Sequence, residues 1–397
     1  MDPSTSTQRT TVLRGIAIIW VFLHHYYEVF EANLTSLAYS LPGTDWDMVG
    51  FGVAMLTSSN AGIRLFWFIS GYCIHTSYLR WRERTAARSG KDDASLRAFV
   101  PSFLWRRFWR LYPPYLIGVL LFYSTQYWGH LFETRSLSHL SLHLTMTHIY
   151  FEGFMWNINP TYWSLAVEMQ RYLLYPALLL PLYSRFGART AFLTCLGITL
   201  LWQLGAHAAS TSLWVRMAPL SFWLEWLGGA WLADRYARGP VTLPGGARVW
   251  MAGAAALVMA SVQWWMPNWI RFALLTLLFG TVFIGYVHAK GKFQWWERAL
   301  VPVGLCSFSI FLLHHRLLID GVKWAGSRVD GWSAVVILGP VLAAAWVSVL
   351  TFSWIYRQLI EQPSPAWGTR IATAFERWRS RRTLRPTSEV VPSPTRS

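Results

Sequence analysis

The chain has 397 residues, of which 54% are hydrophobic and only 14% charged, where a soluble domain carries about 25% charged residues. Lys and Arg outnumber Asp and Glu by 35 to 19, giving a net charge of +16, but the positive residues sit in short segments between long apolar runs. This distribution argues against a nucleic-acid-binding module and against soluble domains joined by polar linkers, and it fits a membrane protein with basic cytoplasmic loops.

The 26 Trp favour the membrane interface, with stacking on sugar rings as a second use. Cys73, Cys195 and Cys306 lie far apart inside apolar runs and read as buried thiols, not as a disulfide or a metal site. Crossing a bilayer takes about 20 mainly apolar residues in a helix. Candidate spans are 12–30, 62–80, 111–129, 163–183, 190–206, 218–236, 248–265, 270–289, 301–319 and 333–356. The expected fold is therefore all-α, a polytopic membrane protein of about ten transmembrane helices. The first run follows Arg14 and ends in His24, His25, Tyr26, Tyr27 and Glu28 without a small-residue cleavage site, so it reads as a retained helix.

The loop after the second run, 81–110, is rich in Arg and must be cytoplasmic by the positive-inside rule, which places the N-terminus inside. A further stretch, 137–158, is moderately apolar and contains His139, His143, His148, Glu152 and Asn157. If it crossed, Arg185, Arg189, Arg235, Arg238, Arg248, Lys290, Lys292 and Arg298 would all face outward; if it stays outside or re-enters, all face inward, as does the Arg-rich tail from Arg370 to Arg385. Both termini are thus expected in the cytoplasm of a cell with the chain in its inner (plasma) membrane. The organisation expected is one transmembrane domain over 1–365 and a basic tail over 366–397, disordered in its Pro-, Ser- and Thr-rich end. The outer loop 31–61 lacks Lys and Arg and carries Asp45 and Asp47.

Ionisable residues within a bilayer are costly and are functional candidates. Arg14 and His25 are eleven residues apart. At about 100° per residue that is three turns plus roughly 20°, so both share one face of the first helix, about 16 Å apart along its axis. Glu28 stands three residues past His25 and can reach it. A His with a carboxylate neighbour in a dry site is a candidate general base; interfacial, hydrogen-bonded histidines are the plainer alternative. At the inner mouth of the third helix stand Arg106, Arg107 and Arg110, with Arg107 and Arg110 on one face. Clustered guanidinium groups suit a phosphate-rich ligand, though a basic stop signal on anionic lipid is the plainer reading of these residues alone. Ser164 and Glu168 share a face of the fourth span, and Arg171 could neutralise Glu168 in a structural ion pair. Ser70-Gly71 reads as a helix-packing site, His314 could line a cavity, and Arg316 snorkels. No Walker loop, dinucleotide fingerprint or zinc-type Cys/His spacing occurs, so no metal is expected.

In this order the motifs resemble the acyltransferase 3 family of membrane acyltransferases. The family's Arg, ten residues, His is Arg14 and His25. Its Leu-Phe-Phe-Val-Leu-Ser-Gly-Phe stretch is Leu65 to Tyr72. Its Arg-x-x-Arg-Ile-Tyr-Pro is Arg107 to Pro113, and its Trp-Ser-Leu-x-Val-Glu is Trp163 to Glu168. Its Gly-x-x-Ser-Tyr-x-x-Tyr-x-x-His is Gly304 to His314, and its Glu-x-Pro is Glu361 to Pro363. The resemblance covers residues 10–365. Met169 and Arg171 depart from a usual acid and Phe, and Arg64 from a usual acid or amide; these changes bear on acceptor contacts more than on acyl transfer. The form expected is the standalone one, without the SGNH-type domain some members carry.

The resemblance implies an acyl-CoA co-substrate, usually acetyl-CoA, no tightly bound cofactor, and a hydroxyl acceptor, usually on a sugar: a glycan of the envelope or a glycosylated small molecule. CoA carries about four negative charges at neutral pH. Arg107 and Arg110, with Arg14, would hold its nucleotide end, and the pantetheine arm would thread toward His25. His25 would act as the base, Glu168 or Glu28 would orient or charge-stabilise it, and Trp163, Ser164, Glu28 and His314 would contact the acceptor. The competing class is a transporter or flippase of a glycan or lipid. Such proteins often show two similar halves, and none is found here.

Overall fold

The computed structural model describes residues 3–40, 61–89, 95–209, 212–263, 267–289, 291–326 and 332–383. The side chain of Glu28, Asp45 and Asp47 of the outer loop, Lys91, Lys290 and the tail from 384 lie outside the described residues. Every regular element among the described residues is helical.

The first half of the chain supplies α1 (Pro3–Ser40), α2 (Ala61–Ser89), α3 (Leu96–Gln126), α4 (Thr134–Leu144) and α5 (Trp163–Leu174). A π-helical segment, Tyr175–Leu179, joins α5 to α6 (Leu180–Ala209), which kinks at Gly187 with φ of 77°. The kink falls between the two spans expected there, and only a residue without Cβ adopts that φ without strain. Then come α7 (Leu213–Met217), α8 (Trp223–Ala237), α9 (Ala247–Gln263) and α10 (Asn268–Val282). The last four are α11 (Trp295–Leu305), α12 (Ser307–Gly326), α13 (Trp332–Tyr356) and α14 (Ser364–Thr383).

Two close crossings set the centre of the bundle. At the first, α2 meets α8: a Cβ on Gly71 would lie 1.9 Å from the Trp226 carbonyl oxygen, and one on Gly229 would lie 2.0 Å from that of Phe68. At the second, α1 meets α11, where a Cβ on Gly304 would fall 2.0 Å from the Thr11 carbonyl oxygen. Small residues let the backbones touch, as expected of Ser70-Gly71. The N-terminal end of α1 is pinned by Arg9, fully enclosed, which pairs with Glu297 at 3.1 Å and donates to the carbonyls of Tyr286, Ala289 and Gly291. Glu297 also closes a capping box with Gln294 at the start of α11.

The stretch 137–158 is not a single helix. Its regular part, α4, is about 16 Å long, half the ~30 Å apolar thickness of a bilayer. It continues through turns in which Met146 and Ile158 take positive φ. Tyr112 and Tyr115 of α3 donate to the carbonyls of Leu144 and His143, each at 2.8 Å, and hold it against the bundle. The span expected over 301–319 is bent by 70° between Trp295–Leu305 and Ser307–Leu318. The expected tail is helical as far as residue 383, within α14, which packs on α3 through Ser364 to the Trp109 carbonyl (2.7 Å) and Trp105 to the Gly368 carbonyl (3.1 Å).

Among the described residues one continuous helix, Trp269–Val287, is by itself long and apolar enough to cross a membrane. Several other expected spans carry buried charges, including Arg64 in α2, Glu168 and Arg171 in α5, and Glu225 and Asp234 in α8.

Candidate active site

A cavity of about 440 Å³ lies between α1, α2, α3, α5 and α12. On each helix the lining includes residues three or four apart, a stripe that shares a helix face. On α2 the stripe is Phe66, Ser70, Cys73, Ser77, Arg80 and Arg84, and on α1 it is Thr7, Thr10, Thr11 and Arg14. Arg107, Arg110 and Leu111 come from α3, Ser164, Glu168 and Tyr172 from α5, and Ser307, Phe308 and Phe311 from α12. Five arginines thus face one space, from the mouth at Arg84 inward. Ile63 and Arg84, at opposite ends of the lining, are separated by about 31 Å of helix. Burial, with Arg110 adding to it, pulls the Arg107 guanidinium below its ordinary value, and the rings of Phe103 and Tyr172 lie 5.6 and 5.7 Å from it. An anion between Arg107 and Arg110 would relieve that repulsion.

Glu168 stands on the inner wall. It accepts a hydrogen bond from Ser70 and lies 3.2 Å from Nη2 of Arg171, so the structural ion pair considered from the sequence is present. Ser70 therefore does more than pack: Gly71 makes the helix crossing while its neighbour's hydroxyl holds the carboxylate. Arg171 is fully buried, lies 4.1 Å from the Trp67 ring centre, and donates to the Phe222 carbonyl at 3.3 Å. Ser164 turns its hydroxyl to the Thr161 carbonyl at 3.0 Å.

His25 is not among the residues lining this cavity; it belongs to a cluster just beyond its inner end. Its ring centre lies 5.2 Å from His314, 4.6 Å from His315 and 4.9 Å from His24. Phe311 connects the two regions: it lines the cavity and lies 5.8 Å from the His314 ring. Nδ1 of His314 sits 3.0 Å from the carbonyl oxygens of Ile310 and Phe311. Carbonyls only accept, so Nδ1 carries the proton and Nε2 keeps the lone pair in the neutral ring.

The residues singled out from sequence thus separate into groups. Arg14, Arg107, Arg110, Ser164 and Glu168 meet at one cavity. His25 and His314 meet beside it. Trp163 lines a second cavity. Arg80 and Arg84 join this cavity although the sequence reading singled out neither; their helical spacing from Ser70 and Cys73 is the signal that could have found them. His315, next to His314 in sequence, also joins the cluster. Glu361 of the Glu-x-Pro motif lies outside the cavity lining and accepts from Ser309 of α12, so it ties α13 to α12.

Fold and cavity define an all-helical protein with an arginine-lined chamber leading to a histidine cluster. Residues 10–358 match the family model described as an acyltransferase domain, and the chain belongs to this acyltransferase 3 family. It is an acyltransferase. No curated protein and no solved structure matches the chain.

Proposed function

We propose that the protein is a membrane-embedded O-acyltransferase that moves an acyl group, acetyl in the first instance, from acyl-CoA to a hydroxyl of a carbohydrate or glycosylated acceptor. The observation that carries this reading is the gathering of Arg14, Arg80, Arg84, Arg107 and Arg110 around one cavity whose inner end adjoins Glu168 and, through Phe311, the His25–His314 pair. Several guanidinium groups suit the phosphates of CoA by their charge and fork geometry. A cavity whose lining runs along about 31 Å of α2 suits a long donor whose reactive end lies far from its charged end.

In this reading the acceptor hydroxyl gives its proton to His25 as its oxygen attacks the thioester carbonyl. The tetrahedral intermediate then collapses, expelling the CoA thiolate, which takes the proton back from the imidazolium. His314, its tautomer set by two backbone carbonyls, offers a lone pair beside His25 and can share that proton. Glu168, held by Ser70 and Arg171, presents a fixed negative charge near the reacting groups. A covalent acyl-histidine is the variant in which His25 itself attacks.

Membrane insertion belongs to the same proposal. The outer faces of α6 and α13 expose Leu193, Leu201, Val347 and Phe352, each more than half accessible. Such a surface calls for lipid. About ten spans with both termini in the cytoplasm place the arginine mouth, at the basic end of α2, on the side where acyl-CoA is made.

The deciding experiment is transfer of radiolabelled acetyl from acetyl-CoA in native membranes carrying the wild-type protein, none, or His25→Ala at matched levels. Label entering a sugar-containing fraction with wild type alone supports the proposal. No transfer together with no CoA binding defeats it.

A further inference from the structure

A second cavity, of about 1090 Å³, lies at the other end of α2 from the arginine mouth. Arg64 lines this one and Arg84 the first, about 30 Å apart along the helix. Its walls come from the segment ahead of α5 (Glu152, Trp156), the first residue of α5 (Trp163), α7 (Arg216) and the start of α10 (Trp269, Arg271).

The two cavities are divided by a single layer of aromatic rings. Trp67 faces the first, while Trp163 and Phe222 face the second. The Trp67 ring lies 5.9 Å from that of Trp163 and 5.2 Å from that of Phe222. Arg171 crosses this partition, paired with Glu168 on one side and donating to the Phe222 carbonyl on the other. A group held at the inner end of the first cavity is therefore one side chain away from a molecule in the second.

The second cavity's chemistry is specific. Three guanidinium groups, from Arg64, Arg216 and Arg271, face it against the single carboxylate of Glu152. Glu225, completely buried, pairs with Arg64 and holds that guanidinium in place. Arg216 is exposed and makes no ion pair among the described residues. Trp156, Trp163 and Trp269 add broad aromatic surface with N–H groups at the edge, suited to the apolar C–H face of a sugar ring. Guanidinium forks suit a carboxylate or a phosphate.

We infer that this cavity binds a sugar carrying an anionic group, and that it is the acceptor site, entered from the end of the bundle opposite the donor. The acceptor role rests on the acyltransferase reading above; the binding of an acidic sugar stands without it.

The test uses the full-length protein in lipid nanodiscs and saturation-transfer NMR with four probes of similar ring: glucuronate, glucose 6-phosphate, glucose and glucosamine. Transfer to glucuronate or to glucose 6-phosphate is expected to exceed that to glucose and glucosamine by about tenfold, the weight of one charge-assisted contact. Which of the two is stronger decides between carboxylate and phosphate. Arg216→Gln and Arg271→Gln should each remove most of that preference while acetyl-CoA binding by the same samples is unchanged. Equal signals from all four probes, no signal from the acidic two, or a preference that survives both substitutions overturns the inference. Acetyl-CoA binding is the separate control: its presence leaves the acyltransferase reading intact whatever the sugars do, and its absence from wild type strikes that reading alone.

Discussion

The rings of His25 in α1 and His314 in α12 lie 5.2 Å apart, centre to centre, although they come from opposite ends of the chain. Each continues a cavity-lining face of its helix, Arg14 standing about three turns before His25 and Phe311 about one turn before His314. The pair thus stands beside the cavity, joined to its lining through Phe311.

Removing His25 should abolish acyl transfer while sparing donor binding. His25→Ala is expected to lower turnover by about 10²–10⁴-fold, the range for a lost general base, with acetyl-CoA affinity within a factor of two or so of wild type. His314→Ala should cost less, since a neighbouring water can replace a shared proton acceptor. Single-turnover rates of the purified protein measure both. A fully active His25→Ala would move the base elsewhere.

Arg107→Ala and Arg110→Ala should each weaken CoA binding by about 10- to 100-fold, as expected for a charge-assisted contact of about 1.5–3 kcal/mol. Calorimetric titration with CoA and with dephospho-CoA would separate contacts to the two ends of the nucleotide. Wild-type affinity should also fall with added salt, because the arginines nearest the mouth are exposed.

Cys73 gives an independent report on the same cavity. It is exposed and lines the arginine chamber, whereas Cys195 and Cys306 are buried. A maleimide should therefore label Cys73 first, and CoA should protect it. Mass spectrometry of the labelled chain, with and without CoA, reads the result; unprotected labelling at saturating CoA would place the donor elsewhere.

The crossing of α2 and α8 should tolerate no side chain. Gly71→Ala puts a Cβ 1.9 Å from the Trp226 carbonyl oxygen, so the helices must part, at a cost of about 1–3 kcal/mol or more. Because Ser70 and Trp67 ride on α2, activity should fall with stability. Gly253→Ala in α9 meets nothing within 4 Å and serves as the control, expected to keep or slightly raise stability. Thermal unfolding in detergent distinguishes them.

His143 and His148 stack at 4.0 Å between ring centres, both fully buried. Burial pushes His143 down to about 4 from its ordinary 6.5, and pushes His148 down as well. The folded protein therefore binds fewer protons here than the unfolded chain. The stability this supports is fully present above pH 6.5 and is lost as pH falls from 6.5 toward 4, by up to about 3 kcal/mol for His143. Unfolding temperature should drop across that window, and His143→Asn should flatten the slope. An unchanged slope in the variant would assign the acid sensitivity to other groups.

Much of this protein was determined by its sequence alone. Long apolar runs with charge between them point to helices, and every regular element among the described residues is helical. Spacing put Arg14 with His25, Arg107 with Arg110, and Ser164 with Glu168 on shared faces, since a helix repeats every 3.6 residues. The ordered motifs were enough to point to the acyltransferase family that the family model shows.

Periodicity within a helix says nothing about which other helix it faces, and there the tertiary structure decided. It brought Arg80 and Arg84 of α2 to the arginines of α3 and α1, and gave Glu168 to Ser70. It set His25 against His314 and His315, with Phe311 between that cluster and the cavity. It also bent the chain by 70° between α11 and α12 where the hydropathy reads one uninterrupted span. These relationships depend on close crossings, such as Gly71 on Trp226 and Gly304 on Thr11, whose geometry follows from backbones meeting in three dimensions and from no local pattern of residues.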